Sequence, residues 1–283
     1  GLSLGFRAGV WNIGAEGQFI AGALLGSAPA VYFFDSTNPL ILPCMMLLGI
    51  LGGMAWAAMP ALLKTRFNAN EILVSLMLVY VAELLLVHLV QGPWRNPQGW
   101  GFPGTRMFPD VALLPMFFPG YRVHLGTLIA VLIPFVAWFV LTRTRFGFQI
   151  RVFGSAPLAA RHAGIGSSQM VWTTLLVGGG LAGLAGVMEA ASTIGQLMPK
   201  ISPGYGFTAI IVAFLGRLHP VGVLLAGTVI AVTYIGGESA QISAGLPKAV
   251  TGLFQGIILF YLLAFDLLTR YRLTRVKTRG NTA

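Results

Sequence analysis

Charge is scarce in this sequence. Of its 283 residues only 9% are Asp, Glu, Lys or Arg, where an ordinary soluble domain carries about 25%. Apolar residues make up 56%, and mean hydropathy is +0.80. Those values exclude a soluble enzyme, a disordered chain and a fibrous protein. Cysteine is nearly absent: Cys44 stands alone, so no intramolecular disulfide and no cysteine-based metal set can form. The Ser-His-Asp arrangement, the HExxH motif and the phosphate-cradling G-x-x-x-x-G-K-S/T loop are all missing. Nothing therefore supports catalysis, and any ATP that drives this chain is bound by another. No signal peptide is present, and a start at Gly1 rather than Met reads as a fragment lacking an N-terminal piece.

What the chain has instead is long apolar runs. A helix needs about 20 residues to cross the roughly 30 Å hydrocarbon core of a bilayer. Runs of that kind cover Gly17 to Phe34, Leu40 to Leu63, Glu71 to Val90, Leu125 to Leu141, Met170 to Ala191, Phe207 to Leu218, Val221 to Ile235, and Ala249 to Leu268. Barrel strands would be about 10 residues of alternating polarity, which these are not. The expected fold is an all-α polytopic membrane protein, one transmembrane domain over residues 1–283 with about eight spans. The run from Phe207 is too short to cross alone unless Ser202 to Gly206 extend it, and 207–235 reads either as two spans or as a broken helix.

Lys and Arg set the orientation. With a net charge of +10, a soluble chain would suggest nucleic acid. Here the basic residues fall between and after apolar runs, as the positive-inside rule requires, so the implied neighbour is membrane lipid and not nucleic acid. Lys64 and Arg66, then Arg143, Arg145, Arg151 and Arg161 in the loop 142–168, then Arg270, Arg272, Arg275, Lys277 and Arg279 in the tail 269–283, are assigned to the cytoplasm. The loop 91–124 spreads Arg95, Arg106 and Arg122 among Trp94, Trp100, Phe102, Phe108, Phe117 and Phe118, and reads as an extracytoplasmic cap with an aromatic belt.

Glycine is patterned. Gly179 and Gly183 form one small-residue row in the fifth run, and Gly178, Ala182 and Gly186 form another. Such rows let helix backbones approach closely where lipid supplies no hydrophobic drive. Gly14 and Gly17 precede one short run, and Gly204 and Gly206 precede another of opposite expected direction. Paired glycine-interrupted segments in opposite orientation are what an inverted repeat with a transport site requires.

Three further features carry polar groups. Trp11, Asn12, Glu16 and Gln18 stand at an entrance to an apolar run, where polar groups are costly beside lipid. They read either as contacts for a polar solute or as a plain helix start, with Glu16 at the positive dipole end. In the loop 142–168, Pro157 suits the first turn of a short helix. Ala159, Ala160 and Ala163 would give that helix a small flat face, for docking in a groove of another protein or for lying against anionic lipid. Glu71 reads as helix-start decoration. Glu83 and His88 point about 140° apart on one helix and make a poor proton relay. Glu189 lies near the outer end of the glycine-rich run.

Asn12 to Gln18 (NIGAEGQ), Phe146 to Ile165 (FGFQIRVFGSAPLAARHAGI) and Gly204 to Gly222 (GYGFTAIIVAFLGRLHPVG) together resemble the permease subunits of bacterial ABC importers. The branch resembled is the ribose and branched-chain amino acid type, specifically its nucleoside and simple-sugar permeases. The resemblance covers nearly the whole chain. It implies an inner-membrane importer subunit with no cofactor of its own. An extracytoplasmic solute-binding protein, a second permease subunit and a cytoplasmic ATPase holding ATP and Mg would be its partners. It implies that Arg151, Gly154, Pro157, Ala159, Ala160, Arg161 and Gly164 couple to the ATPase. It also implies that Trp11, Asn12, Glu16, Gly17, Gln18, Tyr205, Phe207 and Thr208 line the substrate pathway. Two departures stand out. Val79 occupies a position where related permeases carry Asn, and the further N-terminal helices of those permeases are lacking. The rivals are a branched-chain amino acid permease, a proton-coupled secondary transporter using Glu83 or Glu189, and a membrane scaffold that transports nothing.

Overall fold

The computed structural model describes residues 1–99, 101–117, 123–245, 247 and 249–270. It consists of helices α1 (Leu2–Arg7), α2 (Ala15–Tyr32), α3 (Ile41–Phe67), α4 (Glu71–Gln91), α5 (Leu125–Arg143), α6 (Arg145–Ser155), α7 (Pro157–His162), α8 (Ser167–Glu189), α9 (Tyr205–Leu215), α10 (Pro220–Ala244) and α11 (Ala249–Arg270). A π-helical turn, Ala190–Ile194, extends α8. Among the described residues there is no strand, only an isolated bridge between Met116 and His124. The fold is therefore the all-helical polytopic one that the apolar runs predict. The helices α2, α3, α4, α5, α8, α9 and α11 lie within a few residues of their runs, whereas α10 continues to Ala244, nine residues beyond the run ending at Ile235, and α1, α6 and α7 lie outside the runs. The basic tail after 270, with Trp100, Phe118 and Arg122, falls outside the described residues.

Five of these elements are long and apolar enough to cross a membrane: α3, α4, α5, α8 with its extension, and α10. The 11 residues of α9 reach only about 16 Å, half of a hydrocarbon core. Leu73, Leu84, Leu132 and Phe139 on α4 and α5 are exposed. On a water-soluble protein such a surface would be an association hazard, but in a bilayer lipid covers it.

The chain forms two compact units, Gly1–Leu225 and the remainder from Ala226. In the first, α2 is the central helix, buried along most of its length and packed against α3, α4 and α8. Small residues permit this. Gly22 of α2, Gly49 and Gly53 of α3, and Gly179 and Gly183 of α8 meet backbone to backbone, so that a Cβ on any of them would overlap a neighbour. In lipid, dispersion between close backbones stands in for the missing hydrophobic drive. The second unit carries the rest of α10, from Ala226, followed by α11.

One end of the first unit is basic. There Lys64 pairs with Glu71 at 2.9 Å across the turn between α3 and α4, and the Trp172 indole donates to Thr65 at 3.1 Å. Asn70 caps α4 by accepting from the Ile72 amide, which accounts for the abrupt restart after Asn68. The opposite end is closed by the segment 92–117 folded onto the segment after α8. Thr105 and Leu197 exchange two hydrogen bonds of 3.0 Å, and the amides of Phe108 and Leu114 donate to the carbonyls of Gly195 and Ala191. Aromatic residues gather here, with Trp94 on Tyr32 and the Arg106 guanidinium 4.0 Å above the Phe34 ring.

Candidate functional site

The unit is interrupted halfway along α8. Gly1 and Asn12 both lie beside Gly178, near the midpoint of that helix. From there α1 runs to the basic end, where the Arg7 carbonyl touches α6 at Gly154. The chain then turns back through residues 8–14, and α2 starts at Ala15, at the level of the α8 midpoint. The segment after Gly195 descends from the opposite end as non-helical chain, with Leu197 and Ile201 buried. Irregular backbone at such depth is tolerated only where protein surrounds it. It ends at α9, whose first turn rests on the first turn of α2. Two helix N-termini, reached from opposite directions, thus meet inside the unit.

The meeting point is held by polar groups. Glu16 accepts a hydrogen bond of 2.6 Å from the Gly206 amide. Ser202 accepts from the amides of Gly204 and Tyr205 at 3.1 and 2.9 Å. The orphan donors of the first turn of α9 are thereby largely satisfied. Gly204 has φ 104°, which an L side chain rarely adopts, and a Cβ at Gly206 would fall into the backbone of Glu16. On the α2 side, Asn12 and Gln18 face each other. The Asn12 amide donates to the Gln18 oxygen at 2.9 Å, and the Gln18 amide returns a bond of 3.2 Å. The Asn12 oxygen also takes the Gly14 amide. Asn12, Glu16, Gln18 and Thr208 are all buried.

Beside this junction lies a cavity of about 590 Å³, within the roughly 300–1,000 Å³ of small-molecule sites. Its wall on α8 runs from Gly178 through Ala182 and Ala185 to Glu189 and Ser192, a reach of about 20 Å. Phe19 and Tyr205, edge to face with ring centroids 6.1 Å apart, form part of the lining, as do His124 and Thr127 at the start of α5. The His124 Nδ1 accepts from the Gly126 amide at 3.2 Å, and burial lowers the imidazole below its usual range. Both favour the neutral ring, which offers a hydrogen bond to a solute without a charge.

On the basic side of the cavity three rings converge. Phe6 lies 5.2 Å from Trp11 and 5.4 Å from Phe214, and Trp11 lies 6.0 Å from Phe214. Beyond them sit α6 and α7. As the sequence predicts, Pro157 starts α7. Ala159 is exposed, but Ala160 is buried over Ile165 and Met170. The exposed side therefore carries Leu158, Ala159 and Ala163 but not Ala160. Arg161 bonds Ser167 at 2.8 Å, and Gly164 turns the chain with φ 80°. Arg151 is exposed on α6. It is close enough to Arg7 that burial first, and the Arg151 cation second, lower the Arg7 guanidinium.

Of the residues assigned to the pathway, Tyr205 lines the cavity. Asn12, Glu16 and Gln18 spend hydrogen bonds on the junction itself, and Gly17 packs against Leu78 and Val79 of α4 and the Trp56 indole. Trp11 belongs to the ring cluster, while Phe207 is exposed one residue beyond Gly206. Phe19, His124 and Ser192 were not legible as cavity residues: Phe19 is one apolar residue within a run, and the other two come from distant segments.

The family described as branched-chain amino acid transport system / permease component matches residues 1–263. Over 99% of this chain and 76% of the relative, 38% of residues are identical to the glucose ABC transporter permease protein TsgB13 of Haloferax volcanii. The guanosine ABC transporter permease protein NupP of Bacillus subtilis is 29% identical over 99% of this chain and 80% of its own length. For the nucleoside ABC transporter permease protein NupB of Lactococcus lactis the identity is 23%, over 92% of this chain and 74% of the relative. No solved structure matches. With the family match running through both helix breaks and all the long apolar helices, the chain belongs to the branched-chain amino acid transport system / permease component family and is a multi-pass membrane protein.

Proposed function

We propose that the chain is the permease subunit of an ABC importer that carries a nucleoside or a simple sugar across the cytoplasmic membrane of a bacterium. The observation that carries this reading is the cavity alongside two opposed helix N-termini. Broken helices meeting at mid-depth are where transporters place their solute. The cavity wall suits a solute with a flat or apolar face and several hydroxyls. Phe19 and Tyr205 offer ring surface, while Glu189, Ser192, Thr127 and neutral His124 offer hydrogen bonds. Asn12, Glu16 and Gln18 shape the path rather than touch the solute. Few contacts of moderate strength favour release.

The energy comes from elsewhere. The exposed face of α7, Leu158 with Ala159, flanked by Arg151 and Arg161, docks in a groove of a cytoplasmic ATPase that holds ATP and Mg. An extracytoplasmic binding protein delivers solute to the end bearing the aromatic segment 92–117. A second permease subunit is supported by Glu83, exposed midway along α4, since a carboxyl at that depth is expensive unless a protein covers it.

The test is uptake of radiolabelled guanosine, glucose and leucine by cells expressing this chain with its ATPase and binding protein. ATP-dependent uptake of guanosine or glucose supports the reading. Uptake of leucine alone moves the chain to amino acid transport. Uptake that follows a proton gradient, without the ATPase, replaces the ABC reading by proton coupling through Glu189.

A further inference from the structure

The geometry points to an inner gate formed by the rings of Phe6, Trp11 and Phe214 and worked through the contact of Gly154 with Arg7. This rests on the reading of the cavity as the solute path. The cavity follows α8 only from Gly178 to Ser192 and does not extend along the part of α8 nearer the basic end, down to Ser167. The lining residues nearest the basic end are Leu2 and Ser3 of α1, Val212 and Ala213 of α9, and Val223 of α10. The rings follow directly. Phe6 comes one turn after Ser3, and Phe214 is the neighbour of Ala213. They stack at 5.4 Å with an interplanar angle of 19°, and Trp11 lies against both.

Two segments distant in sequence, residues 6–11 and α9, therefore contribute rings to a single layer, placed where a solute in the cavity would have to pass to reach the basic end. Stacked rings make a suitable barrier. They exclude water and polar solutes, yet an aromatic pair is worth only about 0.5–1.5 kcal/mol beyond its buried area, so the layer can part. The two helices that carry Phe6 and Phe214 are short, with 6 and 11 residues, and α9 pivots at Gly204, held at its start by Glu16. The last turn of α1 is touched from the other side. A Cβ on Gly154 of α6 would overlap the Arg7 carbonyl, so a displacement of α6 and α7 is passed to the residue next to Phe6 without slack.

The test uses the assembled transporter in proteoliposomes, with Phe6→Cys and Phe214→Cys introduced together into a Cys44→Ser chain. Joining the two thiols with a short cleavable cross-linker is expected to abolish uptake, and cutting the linker to restore it. Complete cross-linking with unchanged uptake overturns the gate. A second variant, Phe214→Ala, is expected to leak preloaded solute in the absence of ATP, and vesicles as tight as wild type at equal protein content also overturn it. If the wild-type transporter carries neither nucleoside nor sugar, it is the solute-path reading that fails. Leakage of glycerol through Phe214→Ala vesicles, against wild-type vesicles, then still decides the gate.

Discussion

The Glu16 carboxylate and the Gly206 amide, 190 residues apart in sequence, are joined by a hydrogen bond of 2.6 Å inside the first unit. The bond ties the first turn of α2 to the first turn of α9, and Glu16 faces the positive ends of both. A hydrogen bond to a charged group contributes about 1.5–3 kcal/mol. Glu16→Ala is expected to lower the thermal midpoint of the solubilised protein and to stop uptake, because the start of α9 loses its anchor. Glu16→Gln keeps an acceptor oxygen and is expected to retain most of the stability and part of the uptake. Equal midpoints for all three proteins would show that α9 is anchored elsewhere.

The glycine crossing is the second place where one substitution decides the fold. At Gly183 a Cβ would overlap the Gly49 carbonyl of α3. Overpacking a tight interior costs about 1–3 kcal/mol, occasionally more, and here backbone rather than a flexible side chain must yield. Gly183→Leu is expected to leave little monodisperse protein after solubilisation. Gly236→Ala, with open space around it, is expected to match wild type. Size-exclusion chromatography of the two variants makes the comparison.

On α7 the two adjacent alanines are expected to behave differently. Ala160 is buried over Ile165 and Met170, so Ala160→Glu places a carboxyl in an apolar contact and disturbs the local fold. Ala159 is exposed, and Ala159→Glu is expected to leave insertion and protein level unchanged while preventing the ATPase from copurifying. Copurification at the wild-type level would remove α7 from the docking surface.

The long helices were legible because lipid imposes one simple rule, a run of about 20 apolar residues per crossing, and α3, α4, α5, α8 and α10 obey it. The break near Gly14 and the one near Gly204 were also legible, because glycine beside polar residues within an apolar chain marks backbone that leaves the helix. Side-chain direction was not. Only glycine and alanine build the two small-residue rows of α8, yet Gly179 and Gly183 pack against α3 and Gly186 against α2, while Gly178 and Ala182 line the cavity. Asn12 and Gln18 satisfy each other, a pairing six residues apart that no helical or strand period announces. Ala160 turns inward on a helix of 6 residues, too short for periodicity to separate its faces. Phe6 and Phe214 read as ordinary apolar residues, and only the approach of α1 to α9 makes them one cluster.

The claim that the cavity beside α8 is the solute path is tested most directly by a single cysteine at Ala185 in a Cys44→Ser chain, within the assembled transporter. Ala185 lies on the cavity wall between Ala182 and Glu189. A small thiol reagent is expected to block uptake by filling the cavity, and the transported solute is expected to slow the modification. Complete modification with uptake unchanged would contradict the account.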